Sequence, residues 1–151
     1  MKKLACMFCA LCILVSVTAC GFLFRDEKTD LLNSVGKYKE IAYYCTEGFQ
    51  DFTKYGKYQY SKVTLDGHEQ VQPISQDDID ELMVYIDRFE WTVENENDQK
   101  LVAVYDFDRS VVDDADYLYL YTDPDYPQYG YYDIYFFDWQ TKMMYFFHCN
   151  I

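Results

Sequence analysis

Histidine, proline and glycine are scarce in this chain, and basic side chains are outnumbered by acidic ones. The 151 residues include 2 His, 3 Pro and 6 Gly, and 13 Lys and Arg stand against 26 Asp and Glu. The formal charge of −13 at pH 7 repels the phosphates of nucleic acid. We therefore predict no nucleic acid partner and expect any charged partner to be cationic.

The sequence also lacks the common signatures of catalysis. It has no nucleophile elbow, no HExxH zinc motif and no phosphate-binding glycine loop, and neither His68 nor His148 has a sequence neighbour that suggests a triad. Asp133 and Asp138 are a carboxylate pair of the kind that could flank a glycosidic bond, although the separation that matters is spatial. We predict no enzymatic activity and no cofactor, with a surface glycan hydrolase using paired carboxylates as the alternative.

The N-terminus carries a long apolar run that ends at a cysteine. Two lysines precede an apolar stretch over residues 4–15, and small residues lead from there into Cys20. These small residues are Val17, Thr18 and Ala19. The pattern resembles the lipobox of a bacterial lipoprotein signal peptide. The resemblance covers this segment only, and it implies cleavage before Cys20 and a diacylglyceryl group on its thiol.

An uncleaved transmembrane anchor is the alternative for the same segment. Residues 4–24 are uncharged, and a helix of this length would measure about 31 Å at roughly 1.5 Å per residue, enough to span a bilayer. Thr18 and Gly21 at the outer end, together with the position of Cys20, favour the lipoprotein. Both alternatives place the rest of the chain at the extracytoplasmic face of the cell membrane.

The predicted domain organisation follows from this N-terminus. Residues 1–19 are the signal peptide, residues 20–28 are the lipidated cysteine with a short tether, and residues 29–151 form one domain with a single hydrophobic core. Cleavage removes two lysines and no acidic residue, so the formal charge changes from −13 to −15.

Two cysteines outside the signal segment and the lipobox remain. Cys45 and Cys149 are an even pair in a compartment that permits disulfides, and a bond between them would stabilise the fold by roughly 4 to 5 kcal/mol. Two separate buried thiols are an equal alternative, because the sequence does not give the distance between their Cα atoms.

Hydrophobic spacing predicts two helices. Apolar residues recur in steps of three and four over residues 31–52, which indicates one face of a helix that breaks near Gly48. A second helix begins after a cap at Ser75, presents Ile79, Leu82 and Ile86 on one face, and ends near Trp91.

The remaining segments predict strands. Residues 57–65 alternate, and Asp66 and Gly67 are a hairpin signal that returns the chain over residues 68–72. Four further strand-like runs cover residues 100–107, 116–122, 131–138 and 142–149. The predicted fold class is α+β: two helices packed on a largely antiparallel sheet of about five or six strands that ends in a β-meander.

The candidate ligand surface lies in the tyrosine-rich second half. Its residues are Tyr126, Tyr129, Tyr131, Tyr132, Asp123 and Asp125. Aromatic faces beside carboxylates can stack a sugar ring or hold a cationic group. The alternative is a tyrosine-rich hairpin that packs on its own sheet, since scattered exposed apolar residues need no function.

The run of aspartates between Asp106 and Asp116 raises the question of a calcium site. Asp106, Asp108 and Ser110 match the start of an EF-hand loop, but Val111 occupies the position that requires glycine. We therefore predict no metal site and interpret the run as a solvated acidic loop.

These observations predict a non-enzymatic binding module, anchored to the cell membrane through Cys20, that captures a cationic peptide or protein. A structural accessory of a membrane complex is a further alternative. Binding to a cationic partner should weaken with salt.

Overall fold

The structure of the protein is a computed structural model that describes residues 27–46, 52–95, 98–125 and 130–150. The chain divides into two units, residues 1–34 and 35–151. Helix α1 (Glu27–Val35) lies almost entirely in the first unit, where the Ser34 hydroxyl donates a 2.7 Å hydrogen bond to the carbonyl of Leu31. Cys20 and the rest of the predicted signal and tether lie outside the described residues, apart from the beginning of α1.

The second unit is built on a six-stranded antiparallel sheet. Its strands are β1 (Gly36–Cys45), β2 (Phe52–Val63), β3 (Gln72–Pro73), β4 (Tyr117–Thr122), β5 (Tyr132–Asp138) and β6 (Met143–Asn150). They lie in the order β1-β2-β6-β5-β4-β3. The sheet therefore has β1 at one edge and the two-residue β3 at the other.

Two helices of this unit pack on one face of the sheet. Helix α2 (Gln76–Asn95) and helix α3 (Gln99–Val104) bury apolar side chains against β2, β4, β5 and β6. Leu82, Ile86 and Phe89 of α2 are fully buried in this core, and the Phe89 ring lies 5.3 Å from that of Phe147. The α+β class and the packing of helices on an antiparallel sheet are thus confirmed.

The opposite face of the sheet carries mainly aromatic side chains, and we call it the aromatic face. Residues directly opposite each other in an antiparallel pair point to the same side, and successive residues point to opposite sides. The strand registers therefore place the following residues on this face: Tyr43, Tyr58, Tyr117, Tyr119, Tyr135, Phe137 and Phe146. The Tyr135 and Phe146 rings are 4.6 Å apart.

The predicted helix over residues 31–52 is wrong over residues 36–46, because the chain turns into strand β1 at Gly36. Gly36 has a φ of +153°, and a Cβ there would lie 2.2 Å from the carbonyl oxygen of Lys62. The strand is interrupted after Lys37 and again around Ile41 by register shifts. The residues of the predicted helical face do not share one side of the sheet, because Tyr38 and Cys45 lie on the aromatic face and Ala42 lies on the helix side.

The predicted hairpin at Asp66 and Gly67 is wrong in its pairing. The turn exists, with Gly67 at a φ of +70°, but β2 already pairs with β1 on one side and with β6 on the other. The returning segment therefore has no edge of β2 to join. It crosses to the far side of the sheet, where Gln72 and Pro73 pair with β4.

The predicted strand over residues 100–107 is wrong as well, because Asp98 starts a helix there. Its carboxylate accepts hydrogen bonds from the backbone N–H groups of Lys100 and Leu101 at 2.7 and 3.3 Å. This is the arrangement of an N-cap, and it favours a helical turn over an extended chain. Leu101 points into the core, fully buried.

The final meander and the second helix are confirmed. Strands β4, β5 and β6 pair in sequence without register shifts, as the alternation predicts. Ser75 and Asp78 form the predicted cap, in which the Ser75 amide donates to Asp78 Oδ2 at 2.8 Å and the Asp78 amide donates to Ser75 Oγ at 3.3 Å. The helix continues four residues beyond Trp91, to Asn95.

Candidate functional site

A row of polar side chains crosses the aromatic face at one end of the sheet. Cys45 lies opposite Lys54, Lys54 opposite His148, His148 opposite Asp133, and Asp133 opposite Tyr121. Because each pair is in register, all of these side chains point to the same side. A thiol, an amine, an imidazole, a carboxylate and a phenol are therefore placed next to one another on adjacent strands.

Asp133 and His148 form the centre of this row. The Nδ1 atom of His148 lies 2.7 Å from Oδ1 of Asp133, with 8% of the histidine side chain and 27% of the aspartate side chain exposed. A carboxylate at this distance fixes the orientation of the imidazole ring through a hydrogen bond. The pair therefore presents a ring and a carboxylate in a fixed geometry.

Tyr131 packs against two members of this row, Tyr121 and His148. Its ring meets that of Tyr121 at 6.2 Å and 85°, and that of His148 at 5.6 Å and 87°. Tyr121 is 41% exposed and Tyr131 is half-buried, so both rings reach the surface. We call Tyr121, Tyr131, Asp133 and His148 the tyrosine patch.

The candidate ligand surface read from the sequence is divided by the structure. Tyr131 belongs to the tyrosine patch, but Tyr132 points to the helix side, is 1% exposed and packs 4.9 Å from the ring of Tyr85. Its inclusion in a ligand surface is wrong, because neighbouring residues of a strand face opposite sides. Burial raises the pKa of Tyr132 well above its usual range, which keeps this phenol neutral.

The acidic members of that candidate surface lie at the turn after β4. The carboxylate of Asp123 accepts a 2.9 Å hydrogen bond from the amide of Asp125, and the Asp123 amide approaches the carbonyl of Tyr131 at 3.5 Å. The backbone of Asp123 therefore lies next to that of Tyr131 in the tyrosine patch, and Asp125 follows in the same turn. Tyr126 and Tyr129 lie outside the described residues.

Sequence reasoning missed Tyr121 and Asp133 as partners of Tyr131. They lie on different strands, and only the register of the β4–β5 hairpin brings Tyr121 opposite Asp133. The sequence shows the alternation of the two runs but carries no signal for their register, because residues 123–131 separate them.

Cys45 and Cys149 are not joined by a disulfide in the structure. Cys45 is in register with Lys54 on the aromatic face, whereas Cys149 is in register with Thr53 and faces the helices. Strand β2 separates them, so their Cα atoms are about 10 Å apart, beyond the reach of a disulfide. Of the two alternatives, the structure therefore has the two separate thiols.

The aspartates of the proposed acidic loop have structural partners. Asp106 accepts a hydrogen bond from the Tyr55 hydroxyl at 2.9 Å and forms an ion pair with Lys57 at 2.5 Å. Asp108 accepts a hydrogen bond from the amide of Ser110 at 2.9 Å. Asp116 is buried and accepts from two backbone amides. Within the described ranges, no group of three or more side chains is placed to hold a metal ion.

The paired carboxylates of the hydrolase alternative do not meet. Asp133 and Asp138 lie at opposite ends of β5, about 17 Å apart at roughly 3.3 Å per residue, and they point to opposite faces. Glycosidase carboxylates are about 5 to 9.5 Å apart. Asp138 instead accepts hydrogen bonds from the amides of Gln140 and Thr141 in the turn that follows β5, at 2.8 and 3.1 Å.

No helix among the described residues is both long enough and apolar enough to cross a bilayer. Comparisons of the chain with protein-family models, with curated proteins and with solved structures returned no match.

Proposed function

We propose that this protein is a lipid-anchored binding module at the extracytoplasmic face of a bacterial cell membrane, and that it captures a cationic peptide or protein segment. The proposal combines the lipobox-like sequence that ends at Cys20 with the acidic, tyrosine-rich second half. The observation that carries it is the tyrosine patch, in which two surface rings stand almost perpendicular beside a carboxylate.

The patch has the chemistry that a lysine or arginine side chain requires. A cation over a tyrosine ring is attracted by the ring quadrupole, and a carboxylate within the same group of side chains adds a charge–charge interaction. The excess of acidic residues over the whole chain extends this preference, because a charge of −13 raises the local concentration of cationic partners.

Replacing Tyr121 by alanine should weaken the binding of pentalysine to the full chain in detergent micelles by about 3- to 30-fold, the range of a single cation–π contact. Titration of a fluorescent pentalysine measures the change. The matched control is Tyr43→Ala, because Tyr43 is 37% exposed on the same face but lies on β1, away from the patch. Equal affinities of the Tyr121→Ala and Tyr43→Ala proteins, or no binding of pentalysine by the natural protein at low salt, would contradict the proposal.

Replacing Cys20 by serine should abolish the anchor. We expect the Cys20→Ser protein to incorporate no labelled palmitate and to lose the processing of the signal peptide, because the thiol is the acceptor of the lipid in lipobox proteins. The Cys12→Ser protein is the control, since that cysteine lies within the apolar run of the signal segment. Palmitate labelling of the Cys20→Ser protein to the same extent as the natural protein would contradict the proposed lipid anchor.

A further inference from the structure

The two edges of the sheet differ in how well they are protected against further pairing. On β1 the edge carries two register shifts and charged side chains at Lys37, Lys39 and Glu40. Bulges and charges of this kind prevent a second strand from adding. The β4 edge has neither, because its pairing is regular and its sequence is Tyr-Leu-Tyr-Leu-Tyr-Thr.

Strand β3 covers only the first part of the β4 edge. In the described part of the chain, Gln72 and Pro73 are the residues that pair with β4 on this side, opposite Leu118 and Tyr117. The chain before Gln72 is held in a turn, because His68 Nδ1 accepts hydrogen bonds from the amides of Gln70 and Val71 at 3.2 and 3.0 Å. These amides therefore do not extend the pairing towards Thr122.

The backbone groups of Leu120 and Thr122 point to the part of this edge with which no described residue pairs. The amide of Ile74 donates to the carbonyl of Asp116 at 3.0 Å, so the peptide groups of Asp116 face β3. Alternate residues of a strand direct their N–H and C=O groups to the same side. Leu120 and Thr122, which follow Asp116 at even spacing, thus present donors and acceptors outward.

A groove of about 280 Å³ runs beside this edge on the helix side. Leu118, Leu120 and Thr122 form its floor, and Asp78 and Glu81 of α2 line its far side. Glu81 is exposed, and the hydroxyl and amide of Ser75 hold the pKa of Asp78 below its usual range. The groove is therefore negatively charged, and Leu118 and Leu120 supply the apolar part of its lining.

We propose that the edge of β4 at Leu120 and Thr122 captures an extended, lysine- or arginine-rich segment of a partner as an added β-strand. This inference rests on the proposed function and names the mode of binding. Alternate side chains of the added strand enter the groove, where a lysine stem lies on Leu118 and Leu120 and its ammonium group reaches Glu81. The intervening side chains emerge on the aromatic face beside Tyr121, so one strand engages the groove and the tyrosine patch together.

Backbone methylation of the probe tests this mode of binding. Pentalysine that is N-methylated at every peptide amide keeps its charge but has no backbone donor along either edge. Because an added strand uses the amides of one edge, this probe should bind to the full chain in micelles roughly 3- to 10-fold more weakly than unmethylated pentalysine. Pentalysine methylated at alternate residues keeps one free edge and is the matched control. Equal affinities of the fully methylated and unmethylated probes would overturn the edge proposal.

Two substitutions test the same edge from the side of the protein. Thr122→Pro removes an outward amide and no hydrogen bond to β5, and Glu81→Lys reverses the charge of the groove, so both should weaken pentalysine binding about 3- to 10-fold. Glu94→Lys, at the other end of the same helix, is the matched control and should bind as the natural protein does. Circular dichroism tests whether the Thr122→Pro protein keeps its fold. If it does not, the binding of the Glu81→Lys protein decides whether the edge proposal holds.

The outcomes separate this inference from the proposed function. Binding that depends on Tyr121 but is unaffected by Glu81→Lys and by full backbone methylation of the probe would overturn the added strand and leave cationic capture intact. Failure of pentalysine to bind the natural protein at low salt would overturn both.

Discussion

Substitution of Gly36 by alanine should lower the free energy of unfolding by about 3 kcal/mol or more, from the combined costs of backbone strain and overpacking. Gly36 has a φ of +153°, which L side chains rarely adopt, and a Cβ would stand 2.2 Å from the carbonyl oxygen of Lys62. That oxygen belongs to the backbone of β2 and cannot move without disturbing the β1–β2 pairing. Urea denaturation followed by tryptophan fluorescence measures the loss.

Gly67→Ala is the matched control for this experiment. Gly67 also has a positive φ, of +70°, but nothing lies within 4 Å of the position that a Cβ would take. Only the backbone strain remains there, so we expect a loss of about 1 kcal/mol. If the two variants lost equal stability, the close approach of Gly36 to β2 would have no energetic importance.

The segment that begins at Gly36 also shows why the sequence predicts a helix where the structure has a strand. A glycine inside a pattern of threes and fours costs about 1 kcal/mol in a helix, so the pattern outweighs it in a reading of sequence alone. The spacing is not that of one buried face in the strand, because Tyr38 and Ala42 point to opposite sides of the sheet, and no local signal in the sequence shows this. The conformation of this segment is decided by its pairing with β2, a tertiary contact that the local sequence does not contain.

The meander was predictable for the opposite reason. Strands β4, β5 and β6 have no bulge, so the alternation in the sequence matches the two faces of the sheet. The same regularity places Tyr121 opposite Asp133 and sends Tyr132 into the core. Composition alone groups Tyr131 with Tyr132, because it carries no information about which side of the sheet a residue faces.

In the proposed mode of binding, the groove and the tyrosine patch meet on strand β4, which would allow a small domain to select a strand with charge at every residue. Tyr121 belongs to the tyrosine patch on one face, while Leu120 and Thr122 line the acidic groove on the other. Because an added strand also alternates, a lysine on either side of its backbone finds a partner. The proposal therefore predicts a preference for consecutive basic residues in an extended segment.

Replacement of Asp116 by alanine should cost about 2 to 4 kcal/mol, because it leaves two backbone amides without their acceptor. The Asp116 carboxylate is 1% exposed and accepts hydrogen bonds from the amides of Asp113 and Trp139, each at 2.9 Å. It thereby ties the loop before β4 to the turn between β5 and β6. Asp114→Ala, which removes the same charge from an exposed neighbour, should change the stability by less than about 0.5 kcal/mol in urea denaturation.

The pH dependence of Asp116→Asn follows from the burial of this carboxyl group. Burial raises the pKa of Asp116 above its usual value. A raised pKa in the fold gives stability that is complete below the unfolded pKa and is lost as the pH rises through the folded one. Asparagine does not titrate, so the advantage of the natural protein over the Asp116→Asn variant should shrink between acid and neutral pH. An advantage that stays constant or grows over this range would mean that the two amide donors outweigh burial at this carboxyl group.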